Sequence, residues 1–223
     1  MCFLAFVVAI ILYVPFLILF PTKIEGRKNL KQAKRLSKGK IFAINHYSNF
    51  DVVLLHVFLF PFSFSRKLLA KAELNKFKFF GRILKGFGAI YINRGKADLR
   101  AIQDVNNNLQ KGKTLIIFPE GTRNKNGEDL QEIKSGTIFF ASRAKVPIVP
   151  AVFKKKSGLF RFNKIIIGEP YFVENYSKEG VMVEVEKLST KLKKLREERE
   201  KPFGANGEDG LENQFQRKVK TEE

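Results

Sequence analysis

A histidine and an aspartate lie close together in the segment N-H-Y-S-N-F-D, residues 45–51. His46 follows the apolar run KIFAIN, which is typical of a buried strand. One interpretation is structural: Ser48 caps a helix, and Asp51 at its third position accepts backbone N–H bonds. The other is chemical: Asp51 orients His46 through one ring nitrogen while the other nitrogen faces a substrate. Because a carboxylate has several acceptor sites, the two interpretations can hold together.

Such a pair is suited to general base catalysis. A neutral imidazole can take the proton of an alcohol as the alcohol oxygen attacks an activated carbonyl. The aspartate would fix the tautomer and stabilise the imidazolium that forms. The sequence has no G-x-S-x-G motif, and its single cysteine, Cys2, lies in an apolar N-terminal run. We therefore expect direct attack by an acceptor hydroxyl, with Ser48 as a nucleophile the less favoured alternative.

A second group of polar residues is F-P-E-G-T-R, residues 118–123, at the end of an apolar run. Gly121 lets the backbone come close to a ligand, and the planar fork of Arg123 is suited to phosphate oxygens. Glu120 could hold an acceptor hydroxyl or brace an arginine. Arg94, at the end of another predicted strand, adds a second cation. The alternative is an ordinary surface turn with solvated charges.

Short apolar runs alternate with longer helical stretches along the chain. This alternation predicts an α/β fold with a central, largely parallel sheet flanked by helices. Ligands bind beyond the carboxyl ends of such strands, so we expect His46, Arg94 and the 118–123 segment to lie near one another. The predicted strands are 40–45, 88–94, 114–118, 146–153 and 162–170, and the predicted helices are 48–60, 96–110, 135–144 and 178–200.

The charge balance is strongly basic. The 223 residues include 41 Lys and Arg against 22 Asp and Glu, for a net charge of +19. Such an excess attracts polyanions, of which nucleic acid, an anionic membrane surface and an acidic protein are the candidates. One cysteine cannot form an intrachain disulfide, and with only two histidines we expect no metal centre.

The N-terminal segment predicts a membrane anchor. Residues 1–20 contain no charged side chain and as a helix would extend roughly 30 Å, the thickness of a bilayer's hydrocarbon core. Pro15 would kink this helix or mark a re-entrant hairpin, and a buried core helix is the alternative. Eight Lys and Arg residues follow between 23 and 40, which predicts that the rest of the chain faces the cytoplasm. We predict an anchor (1–22), a globular domain (23–201) and a disordered tail (202–223).

Phenylalanines interleave with cations in KFKFFGRILKGF, residues 76–87. Aromatic rings beside Lys and Arg are typical of a membrane interface, where the rings enter the headgroup zone. Base stacking on single-stranded nucleic acid is the competing interpretation. The apolar N-terminal segment favours the membrane.

Four blocks in order give the chain a resemblance to the 1-acylglycerol-3-phosphate acyltransferases, also called lysophosphatidic acid acyltransferases. His46 through Asp51 resembles the family's H-x-x-x-x-D block. The second block is matched by GAIYINR (88–94), the third by FPEGTR (118–123) and the fourth by VPIVP (146–150). Asn93 departs from the pattern, because an acidic residue is common at that position.

The resemblance implies a specific reaction and assigns roles to residues. It implies transfer of a fatty acyl group from acyl-CoA or acyl-carrier protein to lysophosphatidic acid, giving phosphatidic acid, with no cofactor. By this similarity His46 is the base and Asp51 its partner, and 23–201 is the acyltransferase domain. The implied substrate-binding residues are Arg94, Glu120, Gly121, Thr122 and Arg123.

Other functions are compatible with the same residues. The acceptor could be glycerol-3-phosphate or a different lysolipid, since the shape of the cleft sets this choice. A non-catalytic protein that binds anionic lipids would use the basic and aromatic residues without needing His46 beside Asp51. A nucleic-acid-binding module is the least favoured, because no recognition motif accompanies the positive charge.

Overall fold

The structure, a computed structural model, describes residues 18–58, 65–95, 98–124, 130–158, 160, 162–175 and 177–197. Seven strands and six α-helices of the described residues form one sheet with helices packed on it. The strands are β1 (Thr22–Glu25), β2 (Lys40–Ile44), β3 (Arg66–Lys71), β4 (Ala89–Ile92), β5 (Thr114–Ile117), β6 (Ile148–Phe153) and β7 (Asn163–Ile167). The helices are α1 (Arg27–Leu36), α2 (Asn49–Phe58), α3 (Lys78–Gly86), α4 (Leu99–Gln110), α5 (Gly136–Ala144) and α6 (Lys178–Glu197), and a short 3₁₀ helix covers Ala72–Lys76.

The sheet has the order β1-β7-β6-β2-β5-β3-β4. All neighbouring strands from β6 through β4 in this order are parallel, and β1 is parallel to β7. Only the β6–β7 pair is antiparallel. Nine residues, 154–162, join β6 to β7, and a parallel return needs a crossover of a dozen residues or more. The expected largely parallel sheet is therefore confirmed, with one reversal that a short connection imposes.

The central strands are buried on both faces. Every residue of β2, β5 and β6 is buried, which explains why their sequences are continuous apolar runs. Successive side chains alternate between two cores: Ile41 and Ala43 of β2 pack in one, with α4, α5 and α6. Phe42 and Ile44 pack in the other, with α1, α2 and α3. Helices thus cover both faces, as predicted.

Several elements differ from the sequence-based expectation. The basic aromatic region after residue 65 contains β3, the 3₁₀ helix and α3, and β1 and α1 were not predicted. The short polar strand β1 has no apolar alternation to identify it. The predicted anchor up to residue 17 and the predicted tail lie outside the described residues. Within the part of the chain that the structure describes, no helix is long and apolar enough to cross a bilayer.

Asn45 joins the ends of the two central strands β2 and β6. Its side chain is fully buried, its Nδ2 donates to the Phe153 carbonyl at 3.1 Å, and its Oδ1 accepts the Phe153 N–H at 2.7 Å. One amide side chain thus satisfies both backbone groups of Phe153. It also fixes where the residue that follows it, His46, leaves the sheet.

Replacing Asn45 with alanine should lower the free energy of unfolding, because it leaves a buried N–H and a buried carbonyl without partners. We expect a loss of about 2–6 kcal/mol, at about 1–3 kcal/mol for each of the two unsatisfied groups, measured by urea unfolding in a neutral detergent. Asn107→Ala, on the exposed face of α4, is the matched control and should change stability little. Equal effects of the two substitutions would contradict a bridging role for Asn45.

Candidate active site

The polar residues singled out in the sequence converge at the carboxyl edge of the parallel strands. His46 follows β2, Glu120 follows β5 and Arg94 follows β4. The loop after β6 reaches the same place with Ser157. Strands β6, β2 and β5 are adjacent, so their terminal loops lie side by side.

The Asp51 carboxylate is the most heavily bonded group at this edge. Its Oδ2 accepts from His46 Nδ1–H at 3.0 Å and from the backbone N–H groups of Tyr47 and Ser48, each at 2.7 Å. Its Oδ1 accepts from the Ser157 hydroxyl. The side chain has no exposed surface. A buried carboxylate is costly unless its acceptor sites are used, and here donors reach both oxygens.

The structural and the chemical interpretations of this segment describe the same residues. The Ser48 side chain accepts the Phe50 N–H at 3.2 Å, and Asp51 reaches back to the Ser48 N–H, which is the geometry of a helix cap. The same Asp51 oxygen holds the His46 ring. The start of α2 therefore fixes Asp51, and Asp51 fixes the imidazole.

The His46 ring is held by its partners and remains partly open. It stacks on the Phe118 ring with the centroids 4.0 Å apart and an angle of 18° between the planes. The side chain is 14% exposed. Because an ionised carboxylate only accepts hydrogen bonds, the proton lies on Nδ1. Nε2 is then the nitrogen with a lone pair, and it is suited to take a proton from a substrate.

Glu120 braces the backbone on either side of the site. It is buried, and its two oxygens accept the N–H groups of His46 and Gln131, each at 3.3 Å. Burial raises the pKa of Glu120. The Asn124 N–H donates to the His46 carbonyl at 2.7 Å. The loop after β5 therefore holds both backbone groups of His46, and this geometry favours a bracing role for Glu120 over contact with an acceptor.

Gly121 and Arg94 meet where the loops after β5 and β4 approach. Gly121 has a φ of +73°, which favours glycine, and a Cβ there would lie 3.3 Å from Arg94 Nη1. Arg94 Nη1 donates to the Gly121 carbonyl. Arg94 is exposed by its accessible surface, and partial desolvation by the surrounding protein lowers its pKa, yet the guanidinium stays charged at any physiological pH.

Arg123 and Thr122 lie at the exposed rim of the site. Arg123 Nη1 donates to the Asn49 side chain at 3.1 Å, which ties the rim to the first residue of α2. The Thr122 hydroxyl donates to the Gln131 side chain at 2.7 Å. A guanidinium has five N–H donors, so one bond to Asn49 leaves Arg123 able to bind an anion.

Some residues of the site were absent from the sequence-based candidates. Ser157 lies beyond the end of β6, and the rule that ligands gather at carboxyl ends of strands could have identified it. Asn49 and Gln131 had no such signal. Asn93, the departure from the family pattern, donates to the Asp98 carboxylate through its backbone N–H at 3.0 Å and its side chain at 2.8 Å. Asp98 caps α4, so Asn93 stabilises the start of that helix.

Comparison with known proteins identifies the family. A family model described as Acyltransferase matches residues 21–154. This chain belongs to the acyltransferase family. The matched span holds all seven residues proposed for the site from sequence, and Ser157 lies just beyond it.

Curated members of the acyltransferase family resemble the chain over most of its length. The 1-acyl-sn-glycerol-3-phosphate acyltransferase of Bacillus subtilis is 31% identical over 182 residues, which cover 78% of this chain and 87% of that protein. The enzyme of the same name from Haemophilus influenzae is 32% identical and covers 73% of this chain and 70% of that protein. The lyso-ornithine lipid O-acyltransferase of Pseudomonas aeruginosa is 34% identical, over 53% of this chain and 45% of that protein.

A solved structure shares the fold. The crystal structure of the 1-acyl-sn-glycerophosphate acyltransferase of Thermotoga maritima aligns with a TM-score of 0.56 and 24% identity, over 81% of this chain and 74% of that chain. The resemblance to the 1-acylglycerol-3-phosphate acyltransferases is thus confirmed, and the chain is an enzyme of this family. Among the residues that the structure describes, no three His, Cys, Asp or Glu side chains are grouped to hold a metal ion.

Ser157→Ala should reduce turnover by weakening the hold on Asp51, because it removes the donor at Oδ1 and leaves the three donors at Oδ2. A hydrogen bond to a charged group contributes about 1.5–3 kcal/mol, so we expect kcat to fall about tenfold or more while KM stays nearly constant. Steady-state assays of acyl transfer measure both constants. Ser142→Ala, which removes a hydroxyl of α5, is the control. A rise in KM at constant kcat would show that Ser157 contacts a substrate instead.

Proposed function

We propose that this enzyme transfers a fatty acyl group from acyl-CoA or acyl-carrier protein to the free sn-2 hydroxyl of 1-acylglycerol-3-phosphate, giving phosphatidic acid. The observation that carries the proposal is the Nδ1–H bond from His46 to the buried Asp51 carboxylate, 3.0 Å long. It leaves Nε2 free to act as a base, at the same edge of the sheet as the loops that carry Arg94 and Arg123. The names of the relatives support the same reaction.

The proposed mechanism has two bond changes at the acyl carbon. The acceptor hydroxyl oxygen attacks the thioester carbonyl carbon while His46 Nε2 takes the hydroxyl proton. The carbon–sulfur bond then breaks, and the proton passes from the imidazolium to the departing thiolate. Asp51 stabilises the imidazolium between these steps, as the carboxylate of a catalytic triad does. Atoms and charge balance with no covalent acyl-enzyme.

Arg94 and Arg123 are proposed to bind the acceptor phosphate. Both belong to loops at the edge where His46 lies, and both are exposed. A guanidinium pairs with phosphate oxygens through two parallel N–H bonds. Arg94 also holds the Gly121 carbonyl, so the glycine backbone would lie directly beside the bound phosphate.

The name of one relative raises a second candidate acceptor, a lyso-ornithine lipid. A lyso-ornithine lipid acyltransferase resembles part of the chain. An ornithine headgroup carries a cationic amine as well as a carboxylate, whereas a phosphomonoester carries up to two negative charges and no cation, so Arg94 and Arg123 would attract the phosphomonoester more strongly. The exposed arginines therefore favour the phosphorylated acceptor. A direct comparison of the two lysolipids with purified protein and either thioester donor would decide between them, by which acylated product forms.

We also propose that the protein resides on a membrane with the site facing the cytoplasm. The acceptor is itself a membrane lipid. The uncharged run of residues 1–20 and the basic residues after it, noted above, support this placement.

His46→Ala should abolish most acyl transfer while leaving membrane attachment intact. Removing an acid–base catalyst costs about 10²–10⁴-fold in rate, and we expect kcat to fall within this range. The assay is phosphatidic acid formation, with sedimentation on vesicles to follow attachment. Near-normal turnover of this variant would remove His46 from the mechanism.

Arg123→Ala should weaken the binding of the phosphorylated acceptor more than it slows the chemistry. A charged hydrogen bond contributes about 1.5–3 kcal/mol, so we expect KM for 1-acylglycerol-3-phosphate to rise about tenfold or more, with a smaller change in kcat. Arg143→Ala, an exposed arginine in the last turn of α5, removes the same charge away from the site. If both variants keep the original KM, the phosphate assignment of Arg123 is wrong.

A further inference from the structure

A cleft lies at the amino-terminal edge of the same sheet, and none of the candidate active-site residues lines it. It has a volume of about 350 Å³. Its walls come from the first residues of β3, from the residues just before β4 and β5, and from the last turn of α2. These three strands are neighbours in the order β5-β3-β4, so adjacent strands of the sheet form the cleft.

The cleft concentrates positive charge. Among the residues that the structure describes, its lining includes four cations, Arg66, Lys67, Lys85 and Lys113, and no carboxylate. The sequence around it, in residues 52–71, 76–97 and 105–119, has no Asp or Glu at all. Like charges such as those of Lys67, Lys85 and Lys113 repel one another when they line the same cleft. A bound anion would relieve this repulsion.

The pKa values of two lining groups are lowered, one of them partly by neighbouring cations. Burial lowers the pKa of Lys113, and the charges of Lys67 and Lys111 lower it further. Burial also lowers the pKa of Arg66. Each shift means that the charged form is less stable than in water. An anion between these side chains would favour their charged forms.

His56 forms one wall of the cleft. Its Nδ1 lies 2.8 Å from the Val52 carbonyl oxygen and its Nε2 lies 2.9 Å from the Phe87 carbonyl oxygen. A neutral imidazole can donate to only one of these oxygens, whereas an imidazolium donates to both. Burial, and to a smaller extent the charge of Arg66, lower the pKa of His56. A bound anion would raise the pKa of His56 again, so this pKa would report whether an anion is bound in the cleft.

Gly88 keeps the cleft open. Its φ is +73°, and a Cβ there would lie 2.9 Å from the Arg66 carbonyl oxygen and 3.3 Å from Lys67 Cδ. A side chain at this position would therefore displace the lysine. The ammonium of Lys67 lies 3.5 Å from the same Cβ position, directly over the glycine.

We propose that this cleft is a second anion site, which binds a compact phosphate-bearing group such as a diphosphate or a phosphomonoester. Several clustered cations are suited to an anion with more than one negative charge, and the volume is suited to a small headgroup. The phosphate could belong to a soluble molecule or to the headgroup of a membrane lipid. The site is separate from acyl transfer and does not depend on the proposed reaction.

The two histidines of the chain allow a direct test, because one lies at each site. The full chain, labelled with ¹³C-histidine and prepared without a histidine tag in a neutral detergent, is titrated with pyrophosphate and followed by NMR. The spectrum of His46→Ala assigns the His56 signal. We expect the His56 signal to shift saturably, and to titrate at a higher pH when pyrophosphate is bound. The His46 signal reports any binding at the candidate active site separately.

Charge-removal variants give the control. The first variant combines Lys85→Gln with Lys113→Gln. Its affinity for pyrophosphate, measured from the His56 signal, should fall about tenfold or more, because the loss of one hydrogen bond to a charged group lowers affinity by about tenfold. Lys193→Gln with Lys194→Gln removes the same charge from the exposed surface of α6 and should leave the affinity nearly unchanged. If the double variant of the cleft does not fold, Lys67→Gln replaces it. A His56 signal that does not saturate, or equal losses in the two double variants, would overturn the proposal.

Vesicle sedimentation distinguishes the two sources of phosphate. Vesicles with phosphatidic acid are compared with vesicles of phosphatidylcholine alone. If the cleft variant loses more binding to the anionic vesicles than the control variant does, the ligand is a lipid headgroup. Unchanged vesicle binding together with lost pyrophosphate binding identifies a soluble phosphate compound.

Discussion

The burial of the Asp51 carboxylate is the constraint on which the site depends. A buried negative charge is stable only when donors occupy its acceptor sites. The donors come from the His46 ring, from the backbone at the start of α2 and from Ser157 after β6. The end of β2, the start of α2 and the loop after β6 must therefore all be in place to stabilise Asp51. Their arrangement in turn fixes the position of the His46 imidazole.

Other buried polar groups extend the same principle across the carboxyl edge. Asn45 satisfies both backbone groups of Phe153, and Glu120 accepts N–H bonds from two separate backbone segments. Fully satisfied polar networks of this kind hold one arrangement, because any shift would leave a buried group unpaired. The arginines, by contrast, lie at the exposed rim. The His46 ring is held by its hydrogen bonds, while the two arginines are exposed.

The two edges of the parallel sheet have different chemistry. The carboxyl edge combines a base with carboxylates and two exposed arginines. The described lining of the cleft at the amino-terminal edge is basic and has no carboxylate. Part of the net charge of +19 therefore lies in one cleft, where we propose that it binds an anion.

The fold class and the central strands could be predicted from the sequence alone, which also offered the pairing of His46 with Asp51 as one of two interpretations. These features are local: continuous apolar runs mark strands buried on both faces, and a short spacing at a helix start brings two side chains together. The tertiary structure decided which residues from distant segments complete the site. Ser157 lies 106 residues from Asp51, and no local pattern links them. It also placed Glu120 against the backbone of His46 and Gln131, added β1 and β3, and reversed β7, because strand pairing and burial depend on packing between segments far apart in the chain.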